Sequence, residues 1–174
     1  MLGVLAGLML AAVSPVAAGD AEVGMVDTST GRWHLREPNG SDRSFFYGNP
    51  RDIPLLGDWN CDGVDTPGMF RPGNGFFYLT NANPPNGGVA VAEISFFFGI
   101  AGDRPIAGDW DGDGCDTVGI YRKDKVFLSD KLATGNAYRE FFFGVRGDRP
   151  SLPARILRCP SLSASEADRW SVAS

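Results

Sequence analysis

The sequence has one histidine, three cysteines, no basic stripe and no sustained helical period, and each shortage removes a class of function. With one His and no Cys-x-x-Cys pair, a zinc site lacks its usual ligands. Cys61, Cys115 and Cys159 do not make a disulfide framework. A Cys61–Cys115 bridge in an oxidising compartment and unpaired cysteines tolerated at loop positions both remain open, because spacing alone carries no geometry. The net charge of −5, with no clustered Lys or Arg, argues against a nucleic-acid partner. His34 stands between Trp33 and Leu35 on an expected strand, and no Gly-x-Ser-x-Gly accompanies it. The chain is therefore not expected to be an enzyme.

Long apolar runs are also missing. The only candidate, residues 1–18, is too short and too rich in small residues for a membrane span. Val16, Ala17 and Ala18 offer small residues for a signal peptidase, so these residues are expected to be a cleaved signal and the protein to be secreted or at the cell surface. The basic start of such a signal is absent. The alternative is a worn repeat segment, since Pro15 to Asp20 faintly echoes Pro105 to Asp109.

What the chain does have is glycine (23), proline (12) and phenylalanine (12). That mix suits turns and aromatic strands. Three landmarks recur, which makes repetition the first thing to establish. Phe45-Phe46-Tyr47-Gly48 returns as Phe96-Phe97-Phe98-Gly99 and as Phe141-Phe142-Phe143-Gly144, at spacings of 51 and then 45 residues. Asp52, Asp103 and Asp148 follow these glycines at one spacing, and Pro54, Pro105 and Pro150 follow at another. A glycine-centred apolar segment recurs around Gly24, Gly68 and Gly119, each followed by a turn and a second aromatic run.

Three cassettes result, at about 19–52, 53–103 and 104–150, within a repeat domain spanning 19–150. Each full cassette reads as four short antiparallel strands. In the last they are expected at Arg104–Gly108, Thr117–Arg122, 125–130 and 137–144. Residues 81–88 form a long loop that accounts for most of the middle cassette's extra length. Aromatic triplets put large side chains on both strand faces, so each sheet is expected to be buried between neighbours. The fold class is all-β, with propeller-type blades in about three repeats, as a partial ring or open arc. Both end faces of an arc would expose Phe-rich sheets, an invitation to self-association. Residues 151–174 carry no landmark and read as a degenerate tail, although Arg155, Ile156 and Leu157 could supply a closing strand.

The third landmark is acidic and occurs twice. Gly108-Asp109-Trp110-Asp111-Gly112-Asp113-Gly114-Cys115-Asp116-Thr117 places four carboxylates on a glycine-rich loop, where they repel unless a cation sits among them. Gly57-Asp58-Trp59-Asn60-Cys61-Asp62-Gly63-Val64-Asp65-Thr66 is nearly the same loop with one carboxylate fewer. Calcium takes six to eight oxygens, and alternate positions of a tight turn can point several inward. An EF-hand would need Glu at the twelfth position, where Ile120 and Met69 stand. A lone Asp-Gly turn usually binds nothing, but repetition with matched flanks favours a metal. The first loop, with Asn60, is expected to bind more weakly. Trp59, Trp110 and the Phe triplets are expected to be packing residues before they are a ligand surface.

With these motifs in hand, the chain resembles FG-GAP-like repeats of the Gly-Asp-Trp-Asp-Gly-Asp-Gly type found in exported bacterial proteins, from about Val23 to Pro150. The resemblance implies an integrin-like β-propeller with Ca2+ in its Asp-x-Asp-x-Asp-Gly loops, and a role in adhesion or in binding an extracellular glycan or protein. It places Asp109, Asp111 and Asp113 as ligands, with Cys115 giving a main-chain carbonyl. In the first loop Asp58, Asn60 and Asp62 match, with Val64 giving the carbonyl. Many relatives have Asp where Thr117 and Thr66 stand, while Asp116 and Asp65 fall one place earlier. The last ligand in each loop is thus one of these pairs or a bridging water. The alternative function is that of a non-catalytic accessory region of an exported hydrolase.

Overall fold

The computed structural model describes residues 23–36 and 40–150, and these contain strands and turns with no helix. The expected signal at 1–18 and the expected tail at 151–174 lie outside the described residues.

Three antiparallel sheets follow one another along the chain. The first contains β1 (Val23–Asp27), β2 (Arg32–Arg36) and β3 (Asp42–Phe46), in the order β1-β2-β3. The second contains β4 (Ile53–Gly57), β5 (Thr66–Arg71), β6 (Phe76–Leu79) and β7 (Ile94–Phe97), again in chain order. The third is its repeat: β8 (Arg104–Gly108), β9 (Thr117–Arg122), β10 (Lys125–Leu128) and β11 (Arg139–Phe142). Its first two strands have the bounds expected from sequence, and the last two are shorter at their ends. None of the sheets closes on itself.

Alternation of side chains explains the stacking. On the middle sheet Leu56, Met69 and Tyr78 point one way, into a cluster with Trp33, Leu35, Phe45 and Tyr47 of the first sheet. Leu55, Phe70, Phe77 and Leu79 point the other way, with Phe96 and Phe98, onto Ala107, Val118 and Ile120 of the third. The middle strand β5 is consequently buried on both faces. Aromatic rings set these cores: Phe70 and Phe77 lie 4.8 Å apart between centroids, and Phe77 stacks on Phe96 at 5.7 Å.

Two expectations need correction. The aromatic triplets are not buried throughout. Phe45, Tyr47, Phe96 and Phe98 are buried, but the middle members Phe46 and Phe97 are 42% and 39% exposed, because strand alternation turns them away from the core. The two end faces also differ. The third triplet, Phe141 to Phe143, is exposed, whereas the free face of the first sheet carries Arg32, His34 and Arg36 beside Met25. Phe46, paired with Arg32, lies on that face as well, so one end is rich in phenylalanine and the other sets a single ring among arginines.

The turn after each triplet is built the same way three times. Gly48, Gly99 and Gly144 all have positive φ, and the next residue donates its N–H to the Asp three further on: Asn49 to Asp52 (2.9 Å), Ile100 to Asp103 (2.7 Å) and Val145 to Asp148 (2.9 Å). Asp52 and Asp103 then each take a two-pronged grip from the arginine ending the second strand of their sheet. Arg71 reaches Asp52 at 3.0 and 2.8 Å, and Arg122 reaches Asp103 at 2.7 Å through both nitrogens. These bonds raise the pKa of both guanidinium groups, which stay charged at any ordinary pH.

The candidate metal loops and their junction

Each acidic loop leaves the first strand of its sheet and returns into the second. The tryptophan after the first Asp folds back over the strand. A Cβ on Gly57 would come within 2.6 Å of the Trp59 ring, and one on Gly108 within 2.9 Å of the Trp110 ring. Glycine before Asp-Trp is therefore a packing requirement. Trp59 is buried and donates its indole N–H to the Thr66 carbonyl at 3.0 Å. Trp110 is less buried, and its indole nitrogen has no partner among the described residues. Both tryptophans are packing residues, in agreement with the reading from sequence.

In the second loop the carboxylates gather. Asp109 accepts the N–H groups of Gly112 (2.8 Å) and Gly114 (3.0 Å), and Asp113 accepts that of Cys115 (2.8 Å). Gly112 and Gly114 supply the turn through φ values of 79° and 95°. One oxygen each from Asp109, Asp111 and Asp113 lie within 4.8 Å of one another. Oxygens bound at 2.3–2.6 Å on opposite sides of a calcium ion would be about 5 Å apart, so the spacing of the three carboxylates is compatible with such an ion. Asp111 and Asp113 are exposed, leaving room for water to complete a shell.

The first loop keeps the backbone and changes the chemistry. Asp58 is 1% exposed and accepts from Asp62 (3.0 Å) and Gly63 (2.8 Å); the bond from Gly63 matches that from Gly114 to Asp109, and the bond from Asp62 comes one residue later than that from Gly112. The Asn60 amide nitrogen donates to Asp62 at 2.9 Å, so an internal hydrogen bond occupies the place of a carboxylate pair. Cys61 stands where the second loop has Gly112, and takes the same left-handed conformation with φ 66°. A side chain there is strained by about 1–2 kcal/mol.

The reason for a cysteine at that position is the neighbouring loop. Cys61 and Cys115 form a disulfide across 54 residues, with their Cα atoms 4.6 Å apart. The bridge joins the second sheet to the third at the acidic loops. Two hydrogen bonds run beside it: Asp116 N–H to the Asp58 carbonyl (2.8 Å), and Asp58 N–H to the Asp116 carboxylate (2.9 Å). Asp116, one of the residues considered for closing its own loop's shell, thus spends an oxygen on the loop before it. Thr117 donates its hydroxyl to Ser129 O (2.8 Å) and Thr66 to Gly57 O (3.3 Å), while the Asp65 carbonyl accepts from Asn83 (3.1 Å). Val64 is exposed and gives its N–H to Asp62. His34 lies on the outer face of β2, opposite Met25 and Ser44, away from both loops.

Sequence reasoning left the disulfide open and missed the Asp52–Arg71 and Asp103–Arg122 pairs. A signal for the pairs was present, since each strand-ending arginine follows its Asp at the same separation of 19. Set against models of known protein families, characterised proteins and solved structures, the chain gives no match.

Proposed function

We propose that the chain is an FG-GAP-like repeat module of exported type, whose propeller-type blades are braced by calcium and present a surface for binding an extracellular partner, a glycan or a protein. The observation that carries this reading is the second acidic loop, where Asp109, Asp111 and Asp113 converge and adjoin a second loop in the same register. In this reading those three carboxylates and the Cys115 carbonyl hold the ion. Asp58, Asn60 and Asp62 hold a weaker one, with the Val64 carbonyl. The ion neutralises the loop and fixes the turn between two strands, and it does no chemistry. A Cys61–Cys115 bridge supports residence in an oxidising compartment, where such bonds persist. Self-association through the exposed Phe141 to Phe143 face belongs to the same proposal.

Thermal unfolding in calcium and then in chelator, on the wild type and on Asp111→Ala, tests the metal. Calcium at a hundredfold excess over its dissociation constant should add about 2.7 kcal/mol to the wild type, and much less to the variant. The reading fails if calcium leaves the wild-type transition where chelator puts it.

A further inference from the structure

The last strands of the three sheets, β3, β7 and β11, occupy one position in the repeat, and their outer edges are covered to different degrees. On β3 an extended segment of the next cassette, residues 86–90 in the loop after β6, runs parallel to the strand and bridges Phe46 at Val89. Ser44 donates its N–H to the Asn86 side chain (2.9 Å) and accepts that of Gly87 (2.6 Å). Phe46 donates to Gly88 O (3.0 Å) and accepts from Ala90 (2.8 Å). On β7 one such contact remains, from the Phe97 N–H to the Thr134 hydroxyl (3.0 Å).

The same edge on β11 is bare. Phe143 donates inward to Asp124 O (2.9 Å), as Tyr47 does to Gly31 O (2.9 Å), and Phe142 pairs with Lys125 as Phe46 pairs with Arg32. Main-chain groups alternate in direction along a strand. Glu140 and Phe142 therefore turn their N–H and C=O groups away from β10, as Ser44 and Phe46 turn theirs away from β2. Among the described residues nothing bonds to these outward groups. Every residue of β11 is exposed, Phe142 by 75%, whereas β3 buries Phe45 and β7 buries Phe96.

Two outward donors and two outward acceptors on an exposed strand are a template for one more strand. The first sheet shows what this edge accepts. Its occupant is a short run of extended main chain, with an amide side chain leading and small residues, Gly87, Gly88 and Ala90, where it bonds. Glu140 is paired with Lys125 at 2.8 Å, so recognition falls to main-chain bonds and to the rings of Phe142 and Phe143 rather than to charge. Only a polypeptide offers donors and acceptors at this alternation.

We propose that the free edge of β11 binds an extended segment of a partner protein by strand addition, parallel to β11, through the outward N–H and C=O groups of Glu140 and Phe142. This rests on the protein branch of the proposed function and names its site.

The test is amide NMR on the whole chain, titrated into the low millimolar range with a synthetic peptide copying residues 84–92, the stretch that covers β3. The Glu140 and Phe142 amides should shift and exchange more slowly with solvent, while those of Ser44 and Phe46, already covered, stay as they were. N-methylating the peptide at its Gly87 and Ala90 positions removes both donors and should weaken binding about tenfold or more, the effect of two lost neutral hydrogen bonds. Phe142→Pro deletes the outward N–H and spares the bonds to β10, so it should weaken binding about three- to tenfold and keep the fold. The inference is overturned if Glu140 and Phe142 do not respond, or if the methylated peptide binds equally well. It is also overturned if the two amides become protected with rising protein concentration and no peptide, which would give the edge to a second copy. Melting in calcium and in chelator separates the levels: a silent edge with the calcium shift intact removes this site and leaves the module, and loss of both removes both.

Discussion

The two junctions between sheets are built from the same repeat and are held shut by different means. The junction of the second and third sheets is apolar and cross-linked: Phe70, Phe77, Phe96 and Phe98 meet Val118 and Ile120, and Cys61–Cys115 bridges the acidic loops. The junction of the first and second has no such bridge. It buries Trp33, Phe45 and Met69, leaves a hollow beside Tyr47, and relies on the loop after β6 to bind β3. One repeat sequence thus supports a rigid seam and a looser one. The lesson is that stacked sheets need the aromatic alternation at every junction, while staples and hollows are free to differ.

The strongest way to break this contrast is to remove the staple. Replacing Cys61 and Cys115 together by Ser should destabilise the protein by about 4 kcal/mol, from the loop entropy that a 54-residue closure removes from the unfolded chain. Urea unfolding gives the size. Amide exchange gives the place, and it should rise in β4 and β8 while β2 and β3 stay as protected as before. Faster exchange confined to the first sheet would invert the contrast. The next effect sharpens the difference between the two loops within the rigid seam. On the proposed reading, Asn60→Asp puts a carboxylate at the one alternate position of the first loop that lacks it and should tighten calcium there about tenfold, or ~1.4 kcal/mol. Calorimetric titration would show it as a second site of similar affinity, and an unchanged isotherm would mean that burial of Asp58, not the missing charge, limits that loop.

Much of this was legible in the sequence because it repeats. Matched Phe-Phe-Phe-Gly and Gly-Asp-Trp landmarks located the strands of the third sheet to within a few residues, since each lies between a turn residue and an aromatic run. The cluster of Asp109, Asp111 and Asp113 followed from their alternate spacing. Other features were not legible, for physical reasons. Phe46 and Phe97 look like core members in a triplet, and only the direction of the pleat shows that they point outward. Cys61 and Cys115 occupy different places in their loops, so nothing in one dimension brings them together. Tyr47 differs from Phe98 by one oxygen, and its isolation depends on what surrounds it in space.

The looser seam is where the smaller effects lie. Tyr47→Phe should stabilise the protein by about 1 kcal/mol, because it removes a buried hydroxyl that has no partner among the described residues. The same phenol gives the seam an alkaline weakness. Burial, then the charges of Glu93 and Asp52, raise its pKa in the folded state above the ordinary 10. Its contribution is fully present below pH 10 and falls as pH rises beyond it, since the unfolded chain loses the proton first. Stability measured upward from pH 9 should decline more steeply in the wild type than in Tyr47→Phe, and parallel curves would show that the phenol is not buried in solution.

The smallest effect lies at the other end of the pH scale and in the first sheet alone. Asp27 closes the turn between β1 and β2, where the hydroxyl of Ser29, then that of Thr30, lowers its carboxyl from 3.8 to about 2. A carboxyl with a depressed folded pKa stabilises above its unfolded value, and that contribution is lost as pH falls from about 4 toward 2. The group is fully exposed, so the shift in unfolding midpoint should be slight. The direction is what matters: Asp27→Asn should flatten the acid limb of exchange in β1 and β2 and leave that of β5 and β9 unchanged. If acid loosens all three sheets in step in both proteins, the two seams open as one cooperative unit, and the difference in how they are closed has no thermodynamic consequence.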